Sequence, residues 1–260
     1  MNYGSYMSAS GVLANLHRMD VWSNNLANVN TPGFKADVVS MRLREAARVE
    51  DPSLAFAPSN AMLERLGAGV KLGPSRVDLS QGSIEVTNRE LDLALRGNGF
   101  FTVSAPVDGG GTEVRLTRDG RLSLNARREM VMAASGLPVL DDKGKPIALP
   151  NGGQVKVDGD GRIRQGGVEV GRLAVVSVDD AETMPKAGEG LFRPTAAQFS
   201  RRKAGAATVE QGALERSGVD PIAAMLEIGK AERAVGSNLR MIQIQDELMQ
   251  RTIGTFARLA

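Results

Sequence analysis

Apolar residues recur at helical spacing at both ends of the chain and alternate with polar residues through its middle. In residues 220–260, Asp220 and Pro221 suit the cap and the first turn of one long helix. A seven-residue repeat, with further apolar positions three or four residues away, predicts a coiled-coil-like face on this helix. We call it the C-terminal seam, and it consists of Met225, Ile228, Val235, Leu239, Ile242, Met249, Ile253 and Phe256. Such a helix spans about 55 to 60 Å, longer than a small domain is wide.

A second helix is predicted over residues 5–29, and it is the natural partner of the first. Its apolar residues also lie at helical spacing, and we call them the N-terminal stripe: Val12, Leu16, Met19 and Leu26. A helix of about 25 residues cannot cover one of about 40 residues, so we expect part of the seam to meet neighbouring chains. We therefore expect both ends to be partly disordered in the monomer and to become ordered on assembly. The alternative is a closed hairpin of the two helices within one monomer.

The middle of the chain is predicted to be an antiparallel, mainly β domain. Short alternating segments are separated by turn residues such as Asn98-Gly99, Asp119-Gly120 and Lys143-Gly144, and no helical pattern of ten residues intervenes. The predicted strands are 83–87, 91–96, 113–117, 154–157, 162–164 and 172–178. The fold class is thus a β-rich centre with long α-helices at both chain ends.

Composition excludes several classes of function. The formal charge of the 260 residues is +2, with basic and acidic side chains interspersed, so no nucleic-acid partner is implied. There is no cysteine, which excludes disulfides and thiolate metal sites. We find no eighteen-residue apolar run and no pattern typical of a cleaved signal peptide, so we expect no direct membrane insertion.

The sequence contains little evidence for catalytic or metal-binding residues. His17 is the single histidine and lies on a predicted helix, so we interpret it as a polar-face or interface residue. Asp158 to Glu169 has the length of a calcium loop, but Arg162 and Ile163 occupy positions that need a ligand oxygen and a glycine. We interpret this segment as a hairpin turn. The sequence predicts no catalytic residue, no metal site and no cofactor.

One unbroken motif resembles the N-terminal signature of the rod and hook proteins of bacterial flagella. It runs over residues 24–35, and the residues that carry it are Asn24, Asn25, Asn28, Thr31, Pro32, Gly33 and Phe34. Pro-Gly within it suits the centre of a type II turn. Further resemblances follow in family order at 81–84, 91–95, 97–101, 116–120 and 209–215. Length and layout resemble the basal-body rod proteins more than the longer hook protein, whereas 217–220 and 233–236 depart from the family pattern.

This resemblance implies a structural subunit of the flagellar basal-body rod rather than an enzyme. It implies self-assembly through the terminal helices into a helical tube that transmits torque from motor to hook. The implied partners are copies of the chain, other rod subunits, hook and basal-body ring proteins, and the flagellar type III export apparatus. The implied location is the rod that spans the periplasm, reached without cleavage of a signal peptide.

The expected organisation has four parts. Residues 1–35 and 217–260 form a helical assembly domain, 36–69 a variable connector, 70–208 the β-rich domain and 209–216 a return linker. Two alternatives from other classes remain at this point: a stand-alone secreted binding module, and a carbohydrate-acting enzyme with carboxylates in a cleft of the β-rich domain.

Overall fold

The computed structural model describes residues 3–45, 69–107, 109–150 and 152–259. The chain forms two compact units. The helical unit consists of the described residues within Met1–Leu26, Asp37–Ser75 and Asp220–Ala260. The strand unit consists of those within Ala27–Ala36 and Arg76–Val219. The architecture is therefore mixed, with antiparallel sheets in the middle of the chain and a helix at each end.

The helical unit contains α1 (Tyr3–Ala27), α3 (Pro221–Leu259) and a short pair of strands, β2 (Met41–Leu43) and β3 (Val70–Leu72). The predicted cap of α3 is confirmed: Asp220 Oδ1 accepts hydrogen bonds from the backbone N–H groups of Ile222 at 2.8 Å and Ala223 at 3.2 Å. Strands β2 and β3 pair antiparallel. The Ser10 hydroxyl of α1 accepts the N–H of Val70, which ties this strand pair to α1. Most of the predicted connector, residues 46–68, lies outside the described residues.

The remaining strands are short and bounded by turns. They are β1 (Asp37–Val38), β4 (Arg76–Val77), β5 (Ile84–Val86), β6 (Leu93–Arg96), β7 (Phe100–Pro106), β8 (Thr112–Thr117), β9 (Leu122–Leu124), β10 (Met130–Met132), β11 (Val155–Val157), β12 (Arg162–Gln165), β13 (Val168–Arg172), β14 (Val175–Ser177), β15 (Leu191–Phe192), β16 (Lys203–Ala204), β17 (Thr208–Gln211) and β18 (Ala213–Glu215). A five-residue helix, α2 (Ala196–Ser200), precedes β16.

Antiparallel pairing organises the strand unit. Its largest sheet has the order β15-β8-β7-β14-β16, and a three-stranded sheet has the order β11-β12-β13. Strand β17 pairs with β6, and β18 pairs with β5. The main core lies among these sheets and includes Leu93, Leu95, Phe101, Val103, Leu122, Met130, Met132, Ile163, Leu173 and Val209.

The structure departs from the sequence prediction at three places. The longest strand, β7, is not among the predicted strands, although its residues from Phe101 to Ala105 alternate between apolar and polar; five of its seven residues are buried. The predicted strand 172–178 is two elements, since Leu173 donates to Gly161 O at 2.8 Å and the chain leaves one sheet for another. The stretch expected to be a return linker contains most of β17 and all of β18.

Candidate functional site

The motif turn at the end of α1 has the predicted geometry. Phe34 donates its N–H to Thr31 O at 3.2 Å, and Gly33 has a φ of 67°. A positive φ at the third residue of a four-residue turn defines the type II form that Pro-Gly favours. Gly33 also donates to Glu215 O at 2.7 Å, and a side chain at Gly33 would overlap the backbone of Arg118. The turn therefore needs glycine for its conformation and for its packing.

A buried cluster of three charges lies beside this turn. Lys35 Nζ donates to Glu215 Oε1 at 2.6 Å, and Arg118 Nη1 donates to Glu215 Oε2 at 3.3 Å. The three side chains are between 0 and 3% exposed. One carboxylate thus serves two cations, and the cluster carries a net positive charge in a position without solvent.

Backbone groups complete the cluster. Lys35 Nζ also donates to Ser80 O at 2.7 Å, and the backbone N–H of Gly82 donates to Glu215 Oε1 at 2.9 Å. Arg118 Nη2 donates to Gly97 O at 2.8 Å, and its guanidinium lies 5.3 Å from the centre of the Phe100 ring. Arg118 Nε has no hydrogen-bond partner among the described residues.

The electrostatic state of Lys35 follows from this environment. Burial lowers the pKa of its ammonium below the ordinary value of 10.5, the Glu215 carboxylate opposes this shift, and the charge of Arg118 adds to it. Burial likewise lowers the pKa of Arg118, although a guanidinium remains charged. The side chain of Glu215 is therefore the group that both cations share.

These contacts bring together sequence motifs that lie far apart in the chain. Lys35 ends the N-terminal motif, Gly82 belongs to the 81–84 motif, Arg118 to the 116–120 motif and Glu215 to the 209–215 motif. The sequence motifs alone indicated no role for Lys35, Arg118 and Glu215. No local signal singled them out, since Arg118 is followed directly by Asp119 and Glu215 by Arg216. The sequence did not show which of these charges pair, because the partners lie up to 180 residues apart.

Phe34 and Asn25 anchor the same motif in two further ways. The Phe34 ring is buried, and Lys186 Nζ lies 4.2 Å from its centre while donating to Lys35 O at 2.6 Å. In the helical unit, the buried amide of Asn25 donates to Asp37 O and accepts from Asp37 N, both at 2.9 Å. Asn28 O accepts from Thr31 N at 3.1 Å, and Pro32 and Asn24 lie at the surface, Pro32 half-buried and Asn24 exposed.

In the helical unit, α1 and α3 run antiparallel in contact. Ser5 Oγ donates to Gln245 Oε1 at 2.8 Å, and Arg18 pairs with Glu227 further along both helices. The buried and half-buried side chains of α3 recur along one face of the helix. This face includes the small residues Ala224 and Ala231. Both alanine side chains are fully buried on this face.

The predicted C-terminal seam divides into two groups. Ile228, Val235 and Ile242 are half-buried. The exposed members are Met225, Leu239, Met249 and Ile253, with 60, 46, 40 and 62% of their surface exposed. The side chain of Phe256 lies outside the described residues. All four residues of the N-terminal stripe, Val12, Leu16, Met19 and Leu26, are half-buried on α1.

The distal half of α3 carries a second apolar face that sequence reasoning missed. Met241, Ile244 and Leu248 lie three and four residues apart, and each is about half exposed. They repeat at helical spacing, as the seam does, but on another side of the helix. This part of α3 is therefore apolar on two faces.

The candidate chemistry considered above finds no support in the described residues. Asp158 to Arg162 forms the predicted hairpin turn between β11 and β12, and no metal-binding group of three or more histidine or acidic residues occurs among the described residues. A cleft of about 640 Å³ in the strand unit includes Asp141, Asp142 and Asp160. Two of these carboxylates are engaged in their own turns, Asp141 with the N–H groups of Lys143 and Lys145 and Asp160 with Arg162.

No helix within the described part of the chain combines the length and the hydropathy needed to cross a membrane. His17 is half-buried on α1. The site that the described residues offer is one of packing and buried charge.

Comparison with known proteins gives matches along the chain. Three family models match: Flagella basal body rod protein at residues 6–35, Flagellar hook protein FlgE/F/G D1 domain at 94–165, and Flagellar basal body rod FlgEFG protein C-terminal at 210–255. Lys35, Arg118 and Glu215 lie one in each matched range.

Curated relatives match over nearly the whole length. The flagellar basal-body rod protein FlgF of Caulobacter vibrioides is 33% identical over 254 residues, which cover 97% of both chains. FlgF of Mesorhizobium japonicum is 30% identical over 230 residues, with 88% of this chain and 87% of the relative covered. The rod protein FlgG of Bacillus subtilis is 28% identical over 265 residues, with coverage of 95% and 97%.

Proposed function

The chain belongs to the bacterial flagellar basal-body rod proteins, and we propose that it builds the rod by packing its terminal helices against those of neighbouring subunits. It is a structural subunit of the flagellar basal body. The alternatives of a binding module and a carbohydrate-acting enzyme are not favoured by its relatives. The proposal concerns how such a subunit assembles and which of its residues do so.

The observation that carries the proposal is the unequal length of the two helices. α1 has 25 residues and α3 has 39, so about 14 residues of α3, or about 20 Å, extend past the length of α1. Met249 and Ile253 lie in this part on the same helix face as Ile242, which is half-buried in the helical unit. They continue an interface that already exists, and α1 of a second copy of the chain is the occupant that fits it.

The second apolar face strengthens this assignment. A helix that is apolar on more than one face is typical of one that is surrounded by other helices. The exposed stripe of Met241, Ile244 and Leu248 supplies a contact for a further neighbour. Because the seam of one copy meets α1 of another, that contact joins two different surfaces and is heterologous, and repeated heterologous contacts that do not close into a ring generate an open helical tube.

The finer features of the assembly follow from the same proposal. The subunit is not an enzyme, and its coiled-coil-like terminal domain transmits torque from the motor towards the hook. Its partners are copies of the chain, other rod subunits, hook and ring proteins, and the export apparatus. It reaches the periplasm-spanning rod without cleavage of a signal peptide.

The test places a charge on the free part of the seam. Ile253→Asp puts a carboxylate where the proposal needs an apolar contact between subunits, and we expect loss of rods and of motility with the monomer still folded. Gly254→Asp, directly beside Ile253 but exposed on a side of the helix that belongs to neither apolar face, is the matched control and should assemble. Ile242→Asp, which also disturbs the α1 contact, should abolish assembly as well while the strand unit remains folded.

Electron microscopy of basal bodies and circular dichroism of the purified chains give the two readouts. Normal rods from cells that carry Ile253→Asp would refute the proposed interface. Loss of rods with Gly254→Asp as well would show that any added charge is harmful and would also count against a specific seam.

A further inference from the structure

Two glycines on α1 face two amide side chains on α3. A Cβ atom at Gly11 would lie 2.7 Å from Asn238 Nδ2, and one at Gly4 would overlap the amide of Gln245. Gly4 and Gly11 are seven residues apart, as are Asn238 and Gln245. Each amide thus occupies the space that a missing side chain leaves on the other helix.

The apolar residues of α3 cannot by themselves fix the alignment of this pair. Ile228, Val235, Ile242 and Met249 repeat every seven residues. If α3 slid along α1 by seven residues, or about 10 Å, each of these residues would take the place of the next. Apolar packing would be nearly unchanged, so several alignments would have similar free energies.

The polar contacts are only partly repeated in this way. A slide of seven residues would keep one glycine opposite an amide, Gly11 opposite Gln245 or Gly4 opposite Asn238, and would separate Ser5 from Gln245 and Arg18 from Glu227. In the wrong alignment one of the two half-buried amides therefore loses its glycine, and polar groups lose their partners.

We propose that Gly4, Gly11, Asn238 and Gln245 act as a register lock for the α1–α3 pair. The lock rests on the proposed function in one respect: by fixing the alignment, it determines which seam residues extend past α1 and meet a neighbour. Single polar positions are known to set helix register in this manner. These four residues are therefore specificity determinants of assembly, although none of them belongs to the apolar seam.

Spin labels can measure the alignment directly, since the chain has no cysteine of its own. Labels at Asp20→Cys on α1 and Thr255→Cys on α3, both exposed positions, give one distance by pulsed electron double resonance on the full-length chain. The labelled chain is diluted with unlabelled chain to exclude distances between copies. We expect a single distance population without further substitution.

Replacing both amides by leucine should release the lock. Asn238→Leu with Gln245→Leu should add a second population displaced by about 10 Å, the length of a seven-residue slide. Gln243→Leu with Gln250→Leu is the matched control, since both positions are exposed glutamines at the same spacing. The control should keep the single distance.

A swap keeps the inference testable if the leucine variant folds poorly. Gly11→Asn alone places two amides at one position and should broaden or shift the distance, whereas Gly11→Asn with Asn238→Gly restores one glycine and one amide and should recover it. The lock is wrong if the leucine variant keeps the single distance or if the swap does not recover it. It is also wrong if the unsubstituted helices give no defined distance.

Failure of the lock and failure of the proposed function are separable. If the unsubstituted chain does not enter rods in cells, the proposed function fails whatever the distances are. If it enters rods and the leucine variant keeps one distance, only the lock is wrong.

Discussion

Lys35 and Glu215 form an ion pair at 2.6 Å in which both side chains are inaccessible to solvent. Lys35 ends the motif that spans the end of α1, and Glu215 ends β18, the last strand before α3. Because Arg118 is a second cation on the same carboxylate, removing the anion should cost more than removing one cation. This asymmetry gives the first prediction.

Glu215→Gln should lower the free energy of unfolding of the strand unit by about 3 to 5 kcal/mol, because two buried cations lose the carboxylate that accepts hydrogen bonds from both. Lys35→Met should cost less, about 1 to 2 kcal/mol, since Glu215 keeps Arg118 and the Gly82 N–H. Hydrogen exchange of the most protected amides in β7 measures both values. The control is Arg96→Met on the exposed Arg96–Glu210 pair, which should change the free energy by less than about 1 kcal/mol. Equal losses for the two buried variants would contradict the asymmetry.

The lowered pKa of Lys35 predicts a pH dependence. Between that lowered value and 10.5, the unfolded chain holds a proton that the folded chain has released, so the free energy of unfolding contributed by this group rises with pH. Below the lowered pKa, the buried Lys35 ammonium is charged in the folded chain, and its full desolvation cost lowers the free energy of unfolding. The difference in stability between the unsubstituted chain and Lys35→Met should therefore shift in favour of the unsubstituted chain as pH increases through the window. Denaturation by urea at a series of alkaline pH values tests the sign, and the opposite slope would mean that Glu215 outweighs burial.

Gly33→Ala should lower the free energy of unfolding of the strand unit by more than the strain of a positive φ alone accounts for. Gly136 is the matched control, with a φ of 70° against 67° at Gly33 and open space around it. Gly136→Ala should cost about 1 to 2 kcal/mol, the usual value for a left-handed alanine. Gly33→Ala should exceed it by about 1 to 3 kcal/mol, because the new methyl group overlaps the Arg118 backbone. Thermal unfolding of the two variants gives the comparison, and equal shifts would mean that the neighbouring backbone moves freely.

Asn25→Ala should loosen the end of α1. The substitution leaves the backbone N–H and C=O of Asp37 without the amide that pairs with both, at a cost of about 1 to 3 kcal/mol. Trp22, the single tryptophan, lies half-buried on α1 and reports unfolding of the helical unit by its fluorescence in urea. Ser23→Ala, exposed on the same helix, should change the midpoint little. Identical midpoints for the two variants would refute the anchoring role of Asn25.

Local patterns predicted the helices and turns well. The cap at Asp220, the type II turn at Pro32-Gly33 and the hairpin at Asp158 depend on residues close in sequence, and each is found as expected. The buried cluster depends on partners 97 and 180 residues apart, and no local pattern specifies which charges meet.

The face of α3 that packs most closely was also not predictable from apolar spacing. Ala224 and Ala231 are fully buried, yet they add little to an apolar pattern because their side chains are small. Met225 and Leu239 dominate the pattern and are exposed. Close helix packing selects small and polar residues at contact points, whereas the sequence analysis weighted the large apolar ones.

The separation of Lys35 from Glu215 also sets an order of events in time. A chain that emerges from a narrow channel with its amino terminus first exposes Lys35 long before Glu215. Until the later residue emerges, the lysine has no carboxylate in its native site, and β5 and β6 lack the strands that pair with them. The core of the strand unit therefore cannot close before β17, β18 and Glu215 are available to complete it.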